Sequence, residues 1–194
     1  DSNKGMSPFE KNKKPIAITF DDGFRDFHTA AFPVLERQGF AATMYVPTAF
    51  IGDSRKKFKD RECLTWTEIE ELRHAGMEFG SHTVNHPVLV KLDWSEIEME
   101  LRDSKSTLEQ RLQSKAVAFA YPFAYPQENR DYCVRLAAIL RKVGYESCVT
   151  TRIGRVRTVD NPFTLKRLPA HSCDDRSFLS AKTGGAYDGL GVPQ

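Results

Sequence analysis

Asp21 and Asp22 stand side by side at the end of an apolar run, Pro15-Ile16-Ala17-Ile18-Thr19-Phe20, and Gly23 follows at once. Two adjacent carboxylates at the tip of a buried strand oppose each other's ionisation and cannot enter a core unpaired. A bound cation is the simplest way to stabilise them. Further along, Ser81-His82-Thr83-Val84-Asn85-His86-Pro87 follows a second short apolar segment, Met77-Glu78-Phe79-Gly80. The spacing of His82 and His86 predicts one helical turn with both rings on the same side, ended at His86 by Pro87. Successive strand residues point to opposite faces, so one aspartate suits a metal ligand and the other is left nearby as a base. One Asp and two His make three protein ligands with positions left for water and substrate, the pattern of a catalytic site. A divalent ion held in this way activates water and polarises a carbonyl, which is hydrolytic chemistry at neutral pH. The competing reading makes Asp21 a turn residue and His82 a satisfied polar group. Two such clusters at matching strand ends favour the metal.

The elements that must position these groups alternate. Pro15–Phe20 reads as a strand, Phe27–Gln38 as a helix, and Ala41–Val46 as a second strand. Residues 47–64 form a long charged connection of the kind that often carries function. Thr65 with Glu68 has the capping-box pattern for a helix to about His74, and Ser95 with Glu98 repeats it ahead of the longest helix. In that helix Ile97, Leu101, Leu108 and Leu112 mark one apolar face. Strands over Met77–Ser81, Ala116–Tyr121, Glu146–Thr150 and Phe163–Leu168 follow, with a helix over Asp131–Val143 between the middle two. Strand, helix, strand at these lengths implies an α/β fold with parallel pairing through right-handed crossovers. Function in such folds gathers at the carboxyl ends of the strands, which is where Asp21-Asp22, His82, His86 and Tyr121-Pro122-Phe123 all fall. The 194 residues suit a single domain, with loose termini expected at about 1–14 and 182–194.

Composition excludes several classes. With 28 basic against 26 acidic residues the chain is too balanced for a nucleic-acid binder. No apolar run approaches the ~20 residues that span a bilayer, and no signal-peptide core is present. Neither of the glycine-rich nucleotide-binding patterns occurs. Cys63, Cys133, Cys148 and Cys173 show no zinc-finger spacing; buried thiols suit Cys133 and Cys148, and a Cys63–Cys173 disulfide stays open. His28 and His74 are expected on helix surfaces. His171, after Leu168-Pro169-Ala170, is either a proton donor in the pocket or a plain loop histidine. Trp66 is expected to pack at a helix start, and Trp94 is either a sugar platform or packing. Phe123 and Tyr125 are expected at the pocket rim, where their faces would stack on a sugar ring.

Thr19-Phe20-Asp21-Asp22-Gly23, His82-Thr83-Val84-Asn85-His86-Pro87 and Phe119-Ala120-Tyr121-Pro122-Phe123 resemble the successive motifs of the polysaccharide deacetylases, the NodB-homology or carbohydrate esterase family 4 domain. The resemblance runs from about Pro15 to Phe178. It implies a distorted (β/α) barrel of mostly parallel strands with fewer than eight complete units. It further implies Asp21 as catalytic base, and Asp22, His82 and His86 as ligands of a divalent metal, usually zinc, with cobalt or nickel as alternatives. The backbone N–H of Phe123 would help hold the oxyanion. The implied reaction is removal of N-acetyl groups from a glycan, typically one of N-acetylglucosamine, by an enzyme that is periplasmic, on the cell surface or secreted. The other readings are a deacylase of a different amide or ester, and a glycan-binding domain without catalysis. Many members place an arginine in the third motif to orient the base; here that position is Ala120, and Arg167 or His171 stands near the usual late motif. The Tyr-Pro-Phe version resembles the poly-N-acetylglucosamine deacetylases of exopolysaccharide systems.

Overall fold

A computed structural model describes residues 15–188. Six parallel strands form one curled sheet in the order β1 (Thr19–Phe20), β2 (Thr43–Val46), β5 (Glu78–Ser81), β6 (Ala118–Ala120), β7 (Ser147–Ile153) and β8 (Leu165–Arg167). Two further strands, β3 (Lys57–Phe58) and β4 (Arg61–Glu62), make a separate antiparallel hairpin. The helices are α1 (Phe32–Gln38), α2 (Trp66–His74), α3 (Trp94–Leu112), α4 (Arg130–Val143) and α5 (Arg176–Ala181). β1 and β8 are the two outer strands, and no ladder joins them among the described residues. The result is a half-barrel with a seam, in agreement with the parallel α/β architecture expected from the alternation.

Two cores flank α3. Leu108 and Leu112 pack with Met44 and Val46 of β2 and with Trp66, Ile69 and Leu72 of α2. Ile97 and Leu101 pack instead with Phe119, Cys148 and the α4 residues Leu136 and Leu140. Each such side chain contributes about 1.5–3 kcal/mol on burial, so α3 ties both halves of the sheet together. Gly80 is required where it stands, because a Cβ there would lie 2.5 Å from the Tyr45 ring.

Several local readings change. The first strand shrinks to Thr19–Phe20, since β1 is an edge paired only with β2. The helix begun at Phe27 opens with a π-helical turn, Phe27–Ala31, before α1. Asp93, not Ser95, caps α3: its carboxylate accepts from Ser95 N at 2.8 Å and Glu96 N at 2.9 Å, and Glu96 answers by accepting from Asp93 N at 2.8 Å. Both positions carry the acceptor-x-x-Glu pattern; the upstream one wins because Trp94 is already helical. The chain from Lys182 is not loose at its start. Lys182–Ala186 forms a helical turn in which Lys182 is 1% exposed, its ammonium held by Asp174 Oδ2 at 2.6 Å and Pro169 O at 2.9 Å. Arg155 pairs with Asp188 on the same segment. Residues 1–14 and 189–194, for which loose termini were expected, lie outside the described residues. All four cysteines are free thiols, with Cys63 buried and Cys173 exposed, so they are not bridged.

Candidate active site

The strand ends converge as expected. β1 ends at Phe20, and Asp22 turns off it in the left-handed region, φ 72°, followed by Gly23 at φ 67°. That turn, which Asp and Gly accept more readily than most residues, defeats the strand alternation expected for the two aspartates. Both carboxylates stay on the site side, and both act electrostatically on His82. Asp22 Oδ1 lies 3.6 Å from His82 Nε2 and 3.2 Å from His86 Nε2.

His82 is buried at the end of β5, and its Nδ1 lies 2.7 Å from Ala120 O. A carbonyl only accepts, so Nδ1 carries the proton and the neutral ring presents a bare Nε2 to Asp22. Burial holds the His82 pKa down at about 4, which keeps it neutral. Burial pushes Asp22 the other way, but the hydrogen bond from His86 and the nearby Lys59 ammonium outweigh it and hold the carboxyl at about 2. The segment between the histidines is a loop rather than a helical turn, with Thr83 at φ 71° and His86 at φ 53°. Two left-handed residues bring the rings together at 4.7 Å, edge to face, where a continuous helical turn was expected. His86 N donates to Thr83 Oγ1 at 2.9 Å, and His86 Nδ1 is buried with no partner among the described residues.

The ligand atoms of Asp22, His82 and His86 all lie within 4.8 Å of one another. A bare imidazole nitrogen aimed at a carboxylate oxygen is repulsive unless a cation stands between them. With two imidazole nitrogens and one carboxylate, the donor set fits a divalent transition ion.

Arg167 holds the other carboxylate. From β8 its guanidinium donates to Asp21 Oδ1 and Oδ2, both at 2.8 Å, and to Thr150 O at 3.1 Å and Thr19 Oγ1 at 3.5 Å. It therefore crosses the seam and holds Asp21 bidentately. Phe123 lies at the same edge with φ 60°. The residue is 45% exposed, its ring meets His86 edge-on at 4.6 Å, and its N–H donates to no group among the described residues. The β3–β4 hairpin, in the long connection after β2, completes the rim. Phe58 packs on His86 at 5.1 Å, and Lys59 Nζ reaches Asp22 Oδ2 at 3.2 Å.

Other expectations separate here. His171 lies on an exposed turn beyond β8, its backbone N–H donating to Asp174 Oδ2 at 2.9 Å, and it is not one of the three residues whose ligand atoms meet. Tyr125 is not at the rim but buried against Tyr121, because the chain turns inward after Phe123. Trp94 packs between Tyr132 and Arg135, so it is no sugar platform, and Trp66 packs in the core as expected. His28 pairs with Glu71 at 3.4 Å, and His74 is exposed. Lys59 and Glu100 were not foreseen. Lys59 sits in a Lys-Asp turn between short strands, a local hairpin signal; Glu100 looks like any charge on a helix face.

A family model described as polysaccharide deacetylase matches residues 9–147. The chain belongs to the polysaccharide deacetylase family. Among curated relatives, YxkH of Bacillus subtilis strain 168 is 28% identical over 81% of this chain and 53% of that protein. Poly-beta-1,6-N-acetyl-D-glucosamine N-deacetylase of Staphylococcus aureus is 23% identical over 70% of this chain and 48% of its own length. The chain thus spans about half the length of the curated relatives it matches. Among solved structures, the deacetylase PplD of Streptococcus pyogenes superposes with a TM-score of 0.75 at 26% identity, covering 91% of this chain and 78% of PplD. IcaB from Ammonifex degensii gives 0.69 at 24% identity over 86% of this chain and 71% of IcaB, a likeness of fold. The half-barrel is the fold of these deacetylases. Arg167 lies beyond the stretch that the family model matches.

Proposed function

We propose that this chain is a metal-dependent hydrolase that removes N-acetyl groups from a glycan containing N-acetylglucosamine. The observation that carries the reading is the convergence of Asp22, His82 and His86 within 4.8 Å, next to an Asp21 gripped at both oxygens by Arg167. When bound, a divalent ion such as zinc supplies Lewis-acid polarisation of the amide and makes water a better nucleophile. Asp22 is ionised and His82 neutral at neutral pH, so neither ligand has to lose a proton there.

Asp21 takes the proton of the attacking water, and Arg167 sets the direction of the carboxylate while leaving each oxygen a lone pair. The Phe123 N–H, left without an acceptor, donates to the oxyanion that develops at the acetyl carbon. The exposed Phe123 ring offers an apolar face to the sugar. Asp21, once protonated, returns its proton to the departing amine. The curated relatives that act on poly-beta-1,6-N-acetyl-D-glucosamine and the PplD structure in complex with acetate support the choice of substrate. An enzyme acting on a polymer of this kind would work at the cell surface, in the periplasm or outside the cell.

The test is acetate release from N-acetylglucosamine oligomers by zinc- or cobalt-loaded protein, with a chelated control. Release that stops with chelator is expected. A folded, metal-loaded protein that releases none from β-1,6 or β-1,4 oligomers overturns the substrate.

A further inference from the structure

We propose that Glu100, on α3, is a positioning residue of the metal centre: its carboxylate fixes the loop that sets His82 and His86 apart. The inference rests on the reading of Asp22, His82 and His86 as metal ligands. Glu100 Oε2 accepts from the backbone N–H of Val84 at 2.8 Å and of Asn85 at 3.0 Å, and Oε1 accepts from Asn85 Nδ2 at 2.7 Å. Two successive amides following a left-handed residue form a concave anion-binding nest, and here the anion is a side chain from a distant element. Both amides lie between the two histidines.

The loop needs such a restraint. Thr83 is β-branched at φ 71° and His86 is at φ 53°, left-handed conformations that are strained unless the surroundings hold them. On one side the loop is tied to the segment after β2, where Thr48 N donates to Thr83 O at 3.1 Å and Ala49 N donates to Val84 O at 3.0 Å. Those bonds satisfy the carbonyls. On the other side the amides of Val84 and Asn85 have Glu100 as their acceptor. α3 is itself fixed in both cores through Ile97, Leu101 and Leu108, so the carboxylate is delivered from a rigid element. Without it, Val84 and Asn85 turn their N–H groups toward water, the left-handed pair relaxes, and the two imidazoles drift out of register with Asp22. Outer groups that orient ligands in this way typically govern about 10- to 100-fold in metal affinity.

The experiment compares Glu100→Ala and Glu100→Gln with the parent by cobalt titration, reading both the dissociation constant and the visible ligand-field spectrum, together with the melting temperature of the metal-free protein. Glu100→Ala is expected to weaken cobalt binding about 10- to 100-fold and to change the spectrum of the fully loaded form. Glu100→Gln keeps one oxygen for the two amides, and Asn85 can rotate its own oxygen toward the new amide. It should recover most of the affinity. A Glu100→Ala protein that melts lower but binds cobalt with parental affinity and spectrum makes Glu100 a structural cap and overturns the proposal. If the parent itself binds no cobalt at Asp22, His82 and His86, the reading of the metal centre fails instead, and the two failures are distinct.

Discussion

Arg167 joins two sheet edges that share no ladder, so its removal tests both the fold and the chemistry. Its guanidinium is 20% exposed and the Asp21 carboxylate 30% exposed. Breaking a fully buried pair costs about 3–5 kcal/mol; partial solvation of this one reduces the expected loss for Arg167→Met to about 2–3 kcal/mol. For a domain of this size that lowers the melting temperature by about 4–12 °C. Arg167→Lys keeps the charge but not the fork, so it can meet one Asp21 oxygen and must abandon Thr150 O or Thr19 Oγ1. The freed carboxylate swings, and a base misplaced by about 1 Å costs on the order of 100-fold in rate. The assay is kcat/KM for acetate release at saturating metal, read beside the melting temperature. A Lys variant that melts lower yet keeps kcat/KM within about threefold of the parent would show that Arg167 staples the seam and does nothing for the base.

Further outcomes follow from the same geometry. Asp22→Ala or His82→Ala should abolish metal retention and hydrolysis together, as measured by metal content after dialysis and by acetate release. Asp21→Asn should keep the metal and lose about 10²- to 10⁴-fold in turnover; full activity would remove Asp21 from the mechanism. His171→Ala should leave kcat within about twofold of the parent, and a large loss would return the proton-donor role to it. Glu68 is pushed up by burial but held down from its ordinary 4.5 to about 2 by Arg55 and the Thr65 amide. Its folded pKa is the lower one, so the stability it supplies is present above about pH 4.5 and is lost as pH falls toward 2. Glu68→Gln should flatten that acid loss in urea midpoints taken between about pH 6 and pH 3.

Much of this arrangement was legible because it depends on short-range rules. Asp22, His82 and His86 meet because parallel strands deliver their carboxyl ends to one edge, and apolar segments followed by polar clusters mark those ends. The capping box at Thr65 is a purely local pattern and was found in place. What failed needed backbone detail or sheet closure. His82 and His86 were spaced like a helical turn, yet Thr83 and His86 adopt left-handed conformations that no spacing announces. Tyr125 is expected at the rim with Phe123 as a second aromatic face, but its side chain turns inward onto Tyr121. The bidentate grip on Asp21 required β8 to curl back to β1, a long-range consequence of strand twist. Glu100 carries no signal at all, since an acidic residue on a helix reads as solvated until the facing amides are known.

The seam also gives the protein an order of assembly. Every proposed metal ligand has been added to the chain once His86 is made, and β5, the strand before it, pairs with β2. Arg167 arrives with the last strand of the sheet. A chain ending before β8 therefore contains all three proposed donors but lacks the guanidinium that grips Asp21. The restraints on the triad also come late in the chain, from Glu100 of α3 and from Ala120 O at the end of β6, so the geometry of the three donors and the grip on Asp21 are completed by segments that follow His86.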